Sequence, residues 1–377
     1  MTSKPPAYGA AASAVTSMNT PAMDTIPRQR LCNQHLARPR LAAPEVVAAM
    51  LAMQAQEYTD SLWAVGQRAR GATEASVERA LSAGEILRTH PMRGTHHFVA
   101  AADMRWLMAL MGPLMIARNL RRERELELSA KTLAAARAVL ERELAGGQHL
   151  TRAEVAALLK KSRISPSGQR LAHIIYHAEL AALVCSGPRK GKHITIALFD
   201  ERVPAGRPRS REDSLADLAH RYFRTRGPAT RKDFAWWCGL PAADVRAALE
   251  TIAGELDAET IDGVTYHRPA LSDAGAPRAL LLPPYDEYTV AYADRSAVGP
   301  VPPHVTSFAE TTRLGHNLVL DGKVVGSWKR KVEGGQVVIT LAPWKKLARR
   351  DAAALAEAAE RYARFRGLEP SIRTAAR

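Results

Sequence analysis

Apolar positions recur at three- and four-residue spacing through most of the chain, and from about residue 278 they alternate with polar ones. The first pattern is that of helices with one buried face, the second that of half-buried strands. In "LTRAEVAALLKK", residues 150–161, Thr151 and Glu154 form a capping box ahead of an apolar run. "QRLAHIIYHAELAALVCSG", 169–187, reads as a long amphipathic helix closed by Gly187. "SGPRKGKHITIALFDE", 186–201, follows as a basic turn and a β-run. The same succession returns in 214–252, divided into helices by Gly227-Pro228 and Pro241, with two β-runs around Asp262-Gly263 after it. Residues 40–100 give it once more: helices near 44–53, 60–70 and 74–83, then "ILRTHPMRGTHHFVAA" as two short strands.

Helix–turn–helix followed by a hairpin is the outline of a winged helix. The expected fold is α+β and mainly helical, with three tandem winged-helix units and a β-rich C-terminal portion. Residues 1–28, broken by Ser, Thr, Asn and Pro, read as a disordered arm. Winged helix 1 is expected over 29–102, a helical connector over 103–148, winged helix 2 over 149–205 and winged helix 3 over 212–270. Region 278–367 carries turn signals at Asp321-Gly322 and Gly334-Gly335 and a last helix over about 345–366, and 368–377 reads as a fraying tail.

One stretch interrupts this pattern. In "MLAMQAQEYTDSLWAV", 50–65, Gln54 and Gln56 stand two apart between apolar runs. On a helix they would diverge by about 200°. On an extended segment they would point the same way. On spacing alone the pair also fits a polar helix C-terminus.

Charge narrows the partners. The 377 residues carry 53 Lys and Arg against 38 Asp and Glu, a net +15, which favours an anionic partner such as nucleic acid. Cys32, Cys185 and Cys238 stand far apart with no C-x-x-C, as expected in a reducing compartment. No run reaches the ~18 apolar residues that a membrane span needs. The expected location is the cytoplasm, in association with the nucleoid.

Metal and nucleotide motifs do not form. His173 and His177 stand four apart, but Ile174 occupies the glutamate position of a zincin helix, and His90, His96 and His97 lack a Cys or carboxylate at ligand spacing. "SGPRKGKH" departs from a Walker loop in spacing and ending, and neither G-x-G-x-x-G nor G-x-S-x-G occurs. No metal and no cofactor are expected.

Basic clusters fall at turn and wing positions: Lys160, Lys161, Arg163 and Arg170; Arg189, Lys190 and Lys192; and Arg231 and Lys232, with Arg224 and Arg226 beside them. "SWKRKVEGG", 327–335, adds Trp328, Lys329, Arg330 and Lys331, suited to stacking and phosphate contact. A solvated face or a protected edge strand would look the same one cluster at a time. Their repeated placement, with the net charge, points to DNA. Asp286 and Glu287 in "LLPPYDEYTVAY" read equally as turn residues, salt-bridge partners or orienting groups.

Taken together, "MQAQEYTDSLWAVGQR", "RTHPMRGTHHFVAAADMRWL", "LLPPYDEYTVAYADRS" and "LVLDGKVVGSWKRK" resemble the AlkZ/YcaQ group of bacterial winged-helix DNA glycosylases. The resemblance spans about residues 29 to 367 and is carried most by the glutamine pair and Arg93-Gly94-Thr95. It implies three winged helices in a C-shaped body around a basic channel for duplex DNA. It also implies that Gln54 and Gln56 are catalytic, that Arg93, Thr95 and His97 support the site or touch DNA, and that the enzyme acts as a monomer. His90, His96 and Phe98 depart from the family's usual block.

The implied activity is monofunctional: hydrolysis of the N-glycosidic bond of N7-alkylated purines in base excision repair, and unhooking of interstrand crosslinks built on them. An amide titrates nowhere near neutrality, but it can hold a water. That suffices where alkylation has already made the leaving base cationic. The rival class is a non-catalytic winged-helix protein such as a transcriptional regulator, which would dimerise on paired half-sites. An RNA-binding protein using the same basic surface is a third.

Overall fold

A computed structural model describes residues 22–269, 278–299, 302–303, 305 and 315–375. It is a mixed α/β structure in which helices are followed by small antiparallel sheets. After α1 (Ala22–Asn33) come α2 (Ala43–Met50), β1 (Met53–Gln54), α3 (Tyr58–Gly66), α4 (Glu74–Ala83), β2 (Ile86–Met92) and β3 (Thr95–Ala100). The three strands form one sheet in the order β1-β3-β2. Next are α5 (Ala101–Glu125), α6 (Ala130–Leu144), β4 (His149–Thr151), α7 (Arg152–Lys161), α8 (Arg170–Leu180), β5 (Val184–Lys190), β6 (His193–Leu198) and α9 (Phe199–Arg202). Their sheet runs β4-β6-β5. Then follow α10 (Arg211–Arg226), α11 (Arg231–Cys238), α12 (Ala242–Thr251) and the hairpin β7 (Asp257–Ile261) with β8 (Val264–Arg268).

The last part holds β9 (Ala279–Leu282), α13 (Glu287–Val290), β10 (Asn317–Leu320), β11 (Lys323–Glu333), β12 (Gln336–Pro343), α14 (Arg349–Arg366) and β13 (Glu369–Thr374). Its sheet runs β13-β12-β11-β10-β9, with β13 parallel to β12.

Local chemistry sets several boundaries. Thr151 and Glu154 exchange side chain–backbone hydrogen bonds at the start of α7, and Thr230 and Asp233 do the same for α11. Each box satisfies two of the amides that a helix start leaves without partners. Gly239 ends α11 at φ 67°, a conformation that costs glycine little.

Packing redraws three expectations. The arm over 1–28 ends sooner, because α1 starts at Ala22 and is tied in by Ile26 and Leu31, both fully buried, and by Arg30, whose Nε donates to the Pro228 carbonyl. Residues 1–21 lie outside the described part. In the tail over 368–377, β13 pairs with β12 from Gln336↔Glu369 to Leu341↔Thr374, giving backbone groups there a ladder to join. Within 103–148, α6 shares one apolar cluster with α7, α8, β5 and β6, so it packs as part of that body rather than as a spacer.

The C-terminal sheet and α14 pack on α2–α4. Trp63, Trp328, Tyr362 and Phe365 meet in one cluster, with Trp63 and Tyr362 edge to face at 5.3 Å. The Trp328 indole is 1% exposed and donates to the Leu282 carbonyl at 2.8 Å. This corrects its assignment to DNA stacking: the pleat of β11 turns Trp328 into the core and Lys329 and Lys331 outward.

Trp328→Ala should lower folding stability by about 3–5 kcal/mol, as for other buried tryptophans. Urea unfolding of the two proteins checks this. A loss below about 1 kcal/mol, the scale of surface substitutions, would contradict the burial.

Candidate active site

Helix α2 stops at Met50, and Leu51 takes a positive φ of 62° as the chain turns into β1. That conformation costs energy for a leucine and must be held by its surroundings. Arg226 holds it. From the end of α10 its Nη1 donates to the Met50 carbonyl at 3.0 Å and its Nη2 to the Ala52 carbonyl at 2.8 Å. Arg226 is paired in turn with Glu287, at 2.7 Å, and both are at most 1% exposed. The other oxygen of Glu287 accepts the Gln54 backbone N–H at 2.9 Å, and Trp237 donates its indole N–H to the carboxylate at 3.2 Å.

The strand pairs Met53 with Phe98 and Gln54 with His97, and the Ala55 N–H continues the ladder to the His96 carbonyl at 2.7 Å. Met53 and Ala55 are fully buried, whereas Gln54 is half-buried and Gln56 exposed. Alternation on extended backbone thus places both glutamine side chains opposite the core. Gln56 Oε1 accepts the His96 N–H at 3.3 Å. Arg88 closes the turn from the other side, donating to the carbonyls of Ala55 at 2.9 Å and Gln56 at 3.4 Å. Burial lowers its pKa to about 10, so it stays cationic at neutral pH.

The β2–β3 turn brings Arg93, Thr95 and His97 to this strand. His97 is fully buried and its Nδ1 lies 2.8 Å from the Thr95 carbonyl, so Nδ1 carries the proton. That leaves Nε2 to accept from Arg93, 3.4 Å away. Burial first, and then the Arg93 charge, hold His97 well below its ordinary pKa of 6.5. It is neutral and positions rather than titrates. Arg93 Nε and Thr95 Oγ1 are buried with no hydrogen-bond partner among the described residues.

Asp286 and Glu287 are settled as partners of buried arginines. Asp286 takes both nitrogens of Arg68, at 2.7 and 2.9 Å, plus Gln67 at 3.1 Å. Burial pushes the Glu287 carboxyl up, but Arg226 and the Gln54 N–H outweigh it and leave it below the ordinary 4.5. Glu287 stood out in the sequence only as one of two adjacent acids of open role, and its partner Arg226 could not be found there, because α10 and α13 meet β1 only in the fold. Arg226 had been read with the surface cations.

The expected DNA contacts divide. Lys160, Lys161 and Arg163 are exposed at the end of α7 and the turn after it, as are Lys192 beyond β5 and Arg231 and Lys232 at the start of α11. Arg189 pairs with Glu78 and lies over the Tyr58 ring, and Lys190 faces Glu154 at 3.4 Å. Arg170 is half-buried and spent on the carbonyls of Leu126, Ser165 and Glu127, so it braces a loop instead of offering a free cation. Arg330 points inward to Asp60, while Lys329 and Lys331 are exposed. Among the described residues no helix is long and apolar enough to cross a membrane.

A family profile described as "DNA glycosylase AlkZ-like" matches residues 47–365, from α2 to α14. The chain is a DNA glycosylase. It belongs to the AlkZ-like family. The interstrand DNA cross-link repair glycosylase of Streptomyces sahachiroi is 24% identical over 326 residues, 81% of this chain and 86% of that one. The solved structure of the Streptomyces sahachiroi DNA glycosylase AlkZ has the same fold, with a TM-score of 0.76 at 21% identity, covering 95% of this chain and 100% of that one.

The site sets how stability responds to acid. Unfolded, His97 takes up a proton near its ordinary 6.5, which the folded protein refuses, so stability falls as pH drops below that value. Glu287, held below 4.5, contributes fully above that value and loses its contribution as pH falls through its folded value. Urea unfolding across pH should show two acid phases, with the upper one shallower in His97→Gln. It persists in part because burial also holds His96 below its ordinary value. An unchanged slope between about pH 6.5 and 4.5 in His97→Gln would contradict a neutral His97.

Proposed function

We propose that the chain is a monofunctional glycosylase for N7-alkylated purines in duplex DNA, and that it unhooks interstrand crosslinks built on them. The observation that carries this reading is the placement of the Gln54 and Gln56 side chains on one face of a strand that Arg226 and Glu287 hold in place. The relative from Streptomyces sahachiroi, named as a cross-link repair glycosylase, supports the crosslink part.

N7 alkylation gives the purine a positive charge, so the base departs neutral, taking the electrons of its glycosidic bond. What remains is an oxocarbenium-like sugar that water must meet on the open face. One glutamine carbonyl accepts a hydrogen bond from that water, while an amide N–H orients it or holds the sugar-phosphate backbone. The attacking oxygen bonds to the anomeric carbon and its surplus proton passes to solvent, leaving an abasic site. Positioning, not base strength, is the task. Neutral purines lack the activated leaving group and stay in place.

The helix–hairpin bodies built on α2–β3, α6–β6 and α10–β8 fit three winged helices. Together they would receive the duplex, the chain acting as a monomer near the nucleoid. Arg93 and Thr95 lie beside the glutamines with buried polar atoms still to be satisfied, which suits contact with the lesion strand. The exposed Lys160, Lys161, Arg163, Lys192, Arg231 and Lys232 suit phosphate contacts.

Base release from a duplex carrying one N7-methylguanine, and from one carrying an N7-linked crosslink, tests the reading. The wild type should release the modified base and leave undamaged purines. Gln54→Ala/Gln56→Ala should be slower by about 100-fold or more, with duplex binding retained. Unimpaired release in the double variant would move the site elsewhere. No release from either duplex, together with tight binding to undamaged DNA, would favour a regulator.

A further inference from the structure

Sequence spacing left His90 and His96 without a carboxylate; the fold supplies one from helix α8. The two histidines face each other across the β2–β3 hairpin with ring centroids 3.6 Å apart and planes 41° apart. Glu179 reaches His90 Nδ1, and the two side chains are 15% and 8% exposed. One ligand atom from each of the three residues lies within 4.8 Å of the others. His96 Nδ1 is buried with no hydrogen-bond partner among the described residues.

We propose that His90, His96 and Glu179 form a site for a transition-metal cation of the zinc type. Two imidazoles and one carboxylate are a three-protein-ligand set for Zn2+, with the fourth position left to water. Tetrahedral bonds of about 2.0–2.1 Å would set the ligand atoms roughly 3.4 Å apart, so the cluster closes with small side-chain adjustments. Selectivity follows from charge. Glu179 supplies a single negative charge and Arg88 lies close enough to repel a cation, so a hard ion bound mainly by oxygen gains little there. Imidazole coordination carries the affinity and favours the later divalent ions. For His90 Nδ1 to ligate, its hydrogen bond to Glu179 gives way as the metal enters, the ring proton then residing on Nε2.

The metal would link the hairpin to α8. His96, one of its ligands, donates its backbone N–H to Gln56, so occupancy also fixes the amide proposed to hold water. Binding itself does not rest on that reading, and the test measures binding.

Full-length protein stripped with a chelator is titrated with Zn2+ against a chromophoric competitor, and with Co2+ by absorption. One equivalent per chain should bind at micromolar affinity or tighter, with a Co2+ spectrum of nitrogen and oxygen ligands. His96→Ala and Glu179→Gln should each weaken the site at least about 10-fold, while His193→Ala, on the exposed wing, leaves it unchanged. Zn2+ should raise the Tm of the wild type, a readout that does not depend on whether the variants fold. Substoichiometric binding by the wild type, thiolate charge-transfer bands with Co2+, or affinity unaltered in both ligand variants would each overturn the proposal.

Discussion

The ion pair of Arg226 with Glu287 is the contact on which the site depends. Both side chains lie out of water, and each would be costly there alone. Their hydrogen bonds do more than balance charge. Arg226 fixes the carbonyls on either side of the strained Leu51, while Glu287 fixes the amide of Gln54 and accepts the Trp237 indole N–H. Removing one partner would cost about 3–5 kcal/mol, a large share of the stability of an ordinary domain. Beside it, Arg68 and Asp286 form a second buried pair, so two adjacent acids bind arginines from the turn after α3 and the end of α10. The C-terminal region is joined to α3 and α10 in the same place that β1 is set.

Such a device suits a site made of amides. A glutamine has no charge with which to draw a water into place, so its position must be fixed beforehand. Strand β1 is only Met53–Gln54, too short to hold itself by ladder bonds. The Arg88 bonds to Ala55 and Gln56 and the Glu287 bond to Gln54 take the place of a longer sheet. On the proposed reading, the buried Arg226 and Glu287 thus orient the neutral amides that would meet the substrate.

Much of this was readable from local signals. The capping box of α7 and the hairpin at Asp262-Gly263 rest on near neighbours, and both formed, whereas spacing left Gln54-Ala55-Gln56 open between an extended segment and a helix end, and distant contacts decide for the first. What could not be read depends on residues far apart in the chain. Arg226 and Glu287 are 61 positions apart, and nothing local separates a buried arginine from the surface cations around it. Trp328 was misjudged because the charges flanking it suggested an outward face, whereas the pleat sends alternate residues inward. Helix α1 was hidden by polar composition and an internal Pro27, and is held by contacts with α10 and the loop after it.

The central claim is that the buried clamp makes Gln54 and Gln56 one functional unit. A double-mutant cycle on single-turnover base release, with Gln54→Ala, Gln56→Ala and the pair together, tests it most directly. If the two amides hold one water, the double variant should be about as slow as the slower single variant, since residues acting as a unit are strongly non-additive. If instead the effects of the single variants multiply in the double variant, the glutamines act independently and the account of a shared water is wrong.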